Sequence, residues 1–555
     1  MTTSGANCRV CQSDFTNDSY DLAIRERLNA PPSTLCPTCN FKRRAVFRNE
    51  RALYNSACAL CGKSMISMYH PKSPYTVYCL PCWESDAWDP RSYAKPYDPA
   101  RPFFEQLGEL MLNVPKKCLF QSTGLGPNIN SDYTNMAGGN KNCYLIFNSG
   151  GCEDTMYSRG LIRCRETVDA YFGSTLERCY ETVNVEESAG IVFGQNVAGC
   201  LDSAFLLNCN GCTNCFGCVN LRHKSYHFLN EPVSKEEYKK RVEEVMGSYR
   251  RMQKFRKEFE AFTLKFPRKE NSNFKSTDCA GDYLFNCKNL VSCFEVETSE
   301  NCRYAFSNKH MKDCSGTVGY GYHSELLLET AAVGVSSRVI GSCFCENCQE
   351  LEYSYAMKSS KNCFGCDGLK NGQFCILNTQ YEEAAYRALR EKIVRELKEE
   401  GEYGLSMSPA LSPFAYNEST AQDNIPLTKE EAVRQGFRWE DELQITQGKE
   451  TLPASDIPDH IRDVADSILD EILACANCGR NYRIIRPELT FYRKTNLPLP
   501  RQCFNCRFMD RIKRRGPFQF FNRTCAKCKK AITTTFAPDL PGIVYCEQCY
   551  NAEVA

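Results

Sequence analysis

Sixteen of the 37 cysteines sit near the two ends of the chain in eight C-x2-C knuckles. At this spacing two thiolates can meet one metal ion while backbone amides donate to the sulfurs. Four knuckles fall in the first 90 residues, Cys8 with Cys11, Cys36 with Cys39, Cys58 with Cys61 and Cys79 with Cys82. The other four are Cys475 with Cys478, Cys503 with Cys506, Cys525 with Cys528 and Cys546 with Cys549. The second set repeats the first at an offset of 467, and Phe41/Phe508, Arg44/Arg511, Arg48/Arg515 and Asn55/Asn522 keep the same offset, which marks an internal duplication. Two knuckles supply four thiolates, the closed tetrahedral shell of a structural zinc, so four zinc ions are expected, with iron in a rubredoxin-like site as the alternative. The knuckles could pair first with third, as in a cross-brace. The 18 residues between the second and third knuckles favour sequential pairing.

A second offset, of 148, aligns further ligand-type residues in the middle of the chain: Cys200 with Cys348, Cys215 with Cys363, Cys218 with Cys366, and His227 with Cys375. Histidine and cysteine are interchangeable around zinc, so these eight residues are candidates for two more sites and six ions in all. The competing reading is a stack of buried thiols, because cysteine is small and apolar.

The run Cys475-Ala-Asn-Cys478-Gly-Arg-Asn-Tyr482, then Glu488-Leu-Thr-Phe-Tyr492, then Leu499-Pro-Arg-Gln-Cys503-Phe-Asn-Cys506-Arg507 resembles the probable zinc-ribbon, treble-clef-like family of bacteria. The resemblance implies a phenylalanine-tyrosine strand, a knuckle and a basic helix. The N-terminal copy departs from it, with Asp21-Leu22 and Pro32-Ser33 at those signatures. The whole chain is similar to cysteine-rich bacterial proteins that combine such ribbons with Asn-Cys-Phe-Gly-Cys repeats, and neither resemblance implies an activity. Cys525 to Cys549 has the spacing of treble-clef fingers of the GATA and LIM type. Thr533-Thr-Thr-Phe-Ala-Pro538 stands where a GATA finger has its DNA-reading loop, so sequence-specific DNA reading is not implied.

A helix opened by the knuckle at Cys506 places Arg507, Arg511 and Arg514 on one face, flanked by Lys513 and Arg515. Phe504, Phe508, Phe518, Phe520 and Phe521 lie beside it. Such a stripe is what phosphate contact and base stacking need. It is equally what a solvated helix over a small core would show.

The elements that must position these residues are short. Between about 131 and 230, and again between about 274 and 379, aromatic or aliphatic pairs recur every ten to fourteen residues, punctuated by Asn, Gly and Cys. That period suits short strands with tight corners and predicts a β-solenoid, with Asn at left-handed corners. Asn214-Cys-Phe-Gly-Cys218 and Asn362-Cys-Phe-Gly-Cys366 each precede a charged helix, over about 234–260 and 380–400, expected to cap its block. The expected architecture is therefore mainly β with small α: two treble-clef or zinc-ribbon modules flanking a repetitive β-solenoid-like middle with capping helices. Its segments are a double zinc module (1–90), a linker with a short helix (91–130), two solenoid blocks with capping helices (131–262 and 263–400), a linker with helices (401–474) and a second double zinc module (475–555).

At 555 residues several domains are expected. The start of the chain has no secretory pattern and no stretch is apolar enough to span a membrane, so the thiols are expected to be reduced in a cytoplasmic setting. The net charge of +1 conceals +10 over residues 475–555, +2 over 1–90 and −11 between. No nucleophile elbow, phosphate-binding loop, metalloprotease or dinucleotide motif occurs, so no enzyme is expected. The leading expectation is a zinc-stabilised interaction scaffold whose basic terminal modules bind RNA or a ribonucleoprotein surface. The alternative is a structural or protein-binding scaffold that uses the solenoid face without nucleic acid.

Overall fold

A computed structural model describes residues 5–121, 125–443 and 445–554. The chain forms two compact units, each assembled from separated stretches: Met1–Phe120 with Asn273–Asp441, and Gln121–Ser272 with Glu442–Ala555. We call them unit 1 and unit 2. The N-terminal cysteine module therefore shares a unit with the second repetitive block, and the C-terminal module with the first.

The fold is mainly β. In unit 2 a nine-stranded sheet runs from Thr134–Asn135 to Ser225–Phe228, ending with Glu231–Pro232. Successive strands pair in parallel at a step of twelve residues, as in Val168↔Tyr180, Leu201↔Thr213 and Thr213↔Ser225. The eleven-stranded sheet of unit 1 does the same, as in Ser337↔Gln349 and Lys361↔Gln373, except for an eleven-residue step at Ala280↔Val291 and a thirteen-residue step at Ser315↔Leu328. Strands this short must turn sharply to return to register. The corner residues take positive φ in columns, Asn142, Asp154, Glu166 and Arg178 in unit 2 and Asn289, Asn301 and Asp313 in unit 1. Asn and Asp tolerate that conformation and link rung to rung: the Asn289 amide donates to Asn301 Oδ1 at 2.8 Å, and the Asn301 amide to Asp313 Oδ1 at 2.9 Å. Inward positions carry Cys, Val, Leu and Ile in two cores, one per ladder, with Cys164, Cys179 and Cys200 in one and Cys293, Cys302 and Cys314 in the other.

Two expectations are corrected in the helices. The first block is followed by two helices, Lys235–Val245 and Tyr249–Thr263, broken at Gly247 (φ 86°) and restarted by the Ser248 cap. The second of these lies along the ladder rather than across its end, with Phe255 against Phe205, Phe216 and Phe228 on three successive rungs. The Glu488-to-Tyr492 run is helical (Arg486–Lys494), not a strand, because Pro487 suits the first turn and the Glu488 carboxylate accepts from the Ile485 backbone N–H at 3.4 Å. The segment 401–441 packs into unit 1, where Tyr403, Met407, Phe414 and Tyr416 are buried. Among the described residues no helix is long and apolar enough to cross a membrane.

Candidate metal centres and the basic helices

Each terminal knuckle is built the same way. A β-hairpin presents the first pair, as where Gly5–Asn7 meets Asp14–Thr16 around Cys8 and Cys11. A helix start presents the second, with Cys36, Cys79 and Cys503 at the N-caps of Pro37–Ala45, Leu80–Glu84 and Phe504–Arg515. Four groups result, pairing the knuckles sequentially: Cys8, Cys11, Cys36, Cys39; Cys58, Cys61, Cys79, Cys82; Cys475, Cys478, Cys503, Cys506; and Cys525, Cys528, Cys546, Cys549. Within each, all four sulfurs lie within 4.8 Å of one another. The Sγ–Sγ separations of 3.6 Å for Cys11–Cys36, 3.9 Å for Cys61–Cys79, and 3.8 Å for Cys478–Cys503 and Cys528–Cys546 decide between metal and disulfide. A tetrahedron with metal–sulfur bonds of about 2.3 Å has edges of about 3.8 Å. A disulfide requires about 2.05 Å.

The backbone prepares the thiolates. Cys79 N donates to Cys58 Sγ and Cys503 N to Cys475 Sγ, both at 3.2 Å. Burial raises the Cys58, Cys475 and Cys525 thiols, but backbone N–H groups, those of Cys79, Cys503 and Cys528 among them, outweigh it and pull the thiols down to about 6, about 7 and about 6. Each group can hold a metal ion, with no position left for a substrate.

The eight candidate ligands in the middle are a correction. Among the described residues, the four terminal groups are those whose ligand atoms converge, and Cys200, Cys215, Cys218 and His227 do not form another, nor do Cys348, Cys363, Cys366 and Cys375. The twelve-residue step is the reason, because it sets inward cysteines one behind another along the ladder instead of around a point. Their thiols donate locally, Cys200 to Ala198 O and Cys363 to Lys361 O, both at 3.4 Å. His227 Nδ1 lies 2.9 Å from Ser225 O.

The arginine stripe forms as the sequence reading expects, on the helix Phe504–Arg515, but it faces inward. Arg507 pairs with Asp169 at 2.8 Å, Arg511 with Asp169 and Glu181 at 2.9 Å, and Arg514 with Glu181 at 2.6 Å. Arg515 donates to the Tyr171 hydroxyl at 2.9 Å. Phe504 and Phe508 pack on Tyr157 and Tyr171. Arg507, Arg511 and Arg515 are buried, and only Lys513 of the five reaches well into solvent, its side chain 76 % exposed.

Unit 1 repeats the contact. Arg44, the counterpart of Arg511 at the 467 offset, pairs with Glu329 at 3.0 Å, and Glu329 is the counterpart of Glu181 at the 148 offset. Each arginine also donates to a tyrosine carbonyl of its ladder, Arg44 to Tyr304 O at 3.0 Å and Arg511 to Tyr157 O at 3.1 Å. The carboxylates Asp169, Glu181 and Glu329 escaped the sequence reading. The signal that could have found them is the shared offset of Glu181 and Glu329.

No protein-family model matches the chain, and a search of the curated proteins gives no match.

Proposed function

We propose that the chain is a zinc-stabilised, non-catalytic binding scaffold in which two β-solenoid blocks are each buttressed by a double zinc module of the treble-clef or zinc-ribbon kind. Four thiolates in tetrahedral reach favour zinc over metals that prefer oxygen or open shells. The observation that carries the reading is the duplicated arginine–glutamate contact, Arg44 with Glu329 and Arg511 with Glu181. It engages the basic helices in holding module to ladder, and so supports the structural or protein-binding alternative over a nucleic-acid stripe at Arg507, Arg511, Arg514 and Arg515. In unit 1 a polar trough of about 650 Å³, with Gln349, Lys361 and Gln373 in one column and Asn347, Ser359 and Asn371 in the next, is the surface we assign to a protein partner.

One observation favours a second reading. Lys527, Lys529 and Lys530 are exposed on the C-terminal finger, and with Lys513 they keep an RNA or ribonucleoprotein surface in play. Titrating a fluorescent single-stranded RNA at about 50 and about 200 mM salt separates the two. The scaffold reading expects no saturable binding at either salt. Binding that weakens steeply with salt, and that Lys527→Glu, Lys529→Glu and Lys530→Glu together abolish with metal content intact, would establish RNA instead.

A further inference from the structure

Unit 2 holds a cavity of about 290 Å³ where its ladder, the helix Tyr249–Thr263, the end of the basic helix and the C-terminal finger meet. Its polar wall is one-sided: Arg256, Arg268, Lys513, Arg514 and Arg515 face it against a single carboxylate, Glu260. Apolar side chains, Phe205, Phe259, Phe536 and Leu540 among others, line it as well, and the Arg268 guanidinium lies over the Phe536 ring. We propose that this cavity binds a small amphipathic anion, a carboxylate or phosphate head on an unbranched acyl or alkyl tail.

Three observations lead there. First, docking the module does not need all these cations. Lys513 and Arg514 correspond at the 467 offset to Val46 and Phe47, which are fully buried in unit 1 while Arg44 and Arg48 keep their arginines. Lys513 and Arg514 are thus cations that the C-terminal copy carries and the N-terminal copy replaces with apolar residues. Second, the carboxylates within reach are already shared. Glu181 serves both Arg511 and Arg514, Glu260 takes Arg256 at 3.2 Å, and Arg514 Nε is buried without a hydrogen-bond acceptor. Burial is the main cause that pulls Arg514 down to about 10, and Arg256 and Arg511 add to it against the opposing pull of Glu181. Third, the volume is at the lower end of the range for ligand sites, about 300 Å³, which suits one short amphiphile and excludes an oligonucleotide. Leu540, 49 % exposed at the rim, is placed to meet the tail.

Calorimetric titration of the full-length, metal-loaded protein with laurate, dodecyl phosphate and dodecanol, below their micellar range, tests the site. Saturable binding of laurate or dodecyl phosphate at one per chain is expected, and the tighter of the two names the head group. Dodecanol should bind at least tenfold more weakly. Lys513→Glu and Leu540→Asp, both at exposed positions, should each weaken binding at least tenfold with metal content and melting temperature unchanged. Equal affinity for dodecanol, wild-type affinity in both variants, or no binding of either anion would overturn the proposal.

Discussion

Arg511 is fully buried and bridges two carboxylates, so its charge is useful only where it stands. Removing one member of a buried ion pair leaves the other charged and unsolvated, at a cost of about 3–5 kcal/mol. Arg511→Met should therefore lower the unfolding free energy of unit 2 by that order, read from the urea midpoint, and Arg511→Lys should not restore it, because a compact ammonium cannot span Asp169, Glu181 and the Tyr157 carbonyl together. A second buried pair, Lys116 with Asp367 in unit 1, gives a pH signature. Burial, only partly offset by Lys116, raises Asp367 to about 6, above the value of about 3.9 for an unfolded aspartate. Between those values the folded state binds the proton more tightly, so this group makes stability fall as pH rises from about 4 to about 6, with no further change above. Comparing denaturant midpoints at pH 5 and pH 7 should show this slope in the wild type and its loss in Asp367→Asn. At this scale the grouping of the sixteen terminal cysteines into four sets that can hold a metal was legible, because knuckle spacing is local chemistry. The fate of the arginines was not: the ladder carboxylates that accept them lie 285 to 342 residues away in sequence, and nothing local distinguishes these from solvated acids.

The ladders show where periodicity suffices and where it fails. The ten-to-fourteen-residue texture located the strands and the asparagine corners, and register at twelve follows from parallel pairing once a corner conformation repeats. The corners can be tested one at a time. Asn301 holds φ 53° and links Asn289 to Asp313, so Asn301→Val should cost about 3–4 kcal/mol, from left-handed strain of about 1–2 and two lost hydrogen bonds of about 1 each, while Asn301→Gly should lose only the hydrogen bonds. Thermal denaturation of the two variants side by side separates those contributions. The same periodicity misled at the middle cysteines. A pattern that aligns Cys200 with Cys348 and His227 with Cys375 reports equivalent rungs, and rungs stack instead of converging. Helix breaks were illegible for a different reason: one glycine, Gly247, turns a continuous charged pattern into two helices, and a single residue leaves almost no periodic trace.

At the scale of the whole molecule, the segments were readable but their partnership was not, since no sequence pattern indicates that each cysteine module packs with the ladder farther from it. Four zinc ions per chain are expected by elemental analysis, and each site supplies on the order of 10 kcal/mol of folding energy. Chelation should therefore loosen more than the ends. Because Arg44 and Arg511 tie the modules to the ladders, limited proteolysis after metal removal should cut within 280–380 and 134–228 as well as in the modules; ladders that stay resistant would show that the docking contributes little. The crossed arrangement also sets an order of events during synthesis. The N-terminal module is complete by about residue 90, but the ladder that receives its arginines ends near Gln380, about 290 residues later. At roughly 5–20 residues per second that is about 15 to 60 s in which the nascent module must survive undocked, held by its metal alone. The C-terminal module has the opposite schedule, made after the ladder that receives it is already built, so a shortage of metal at translation should damage the first unit before the second.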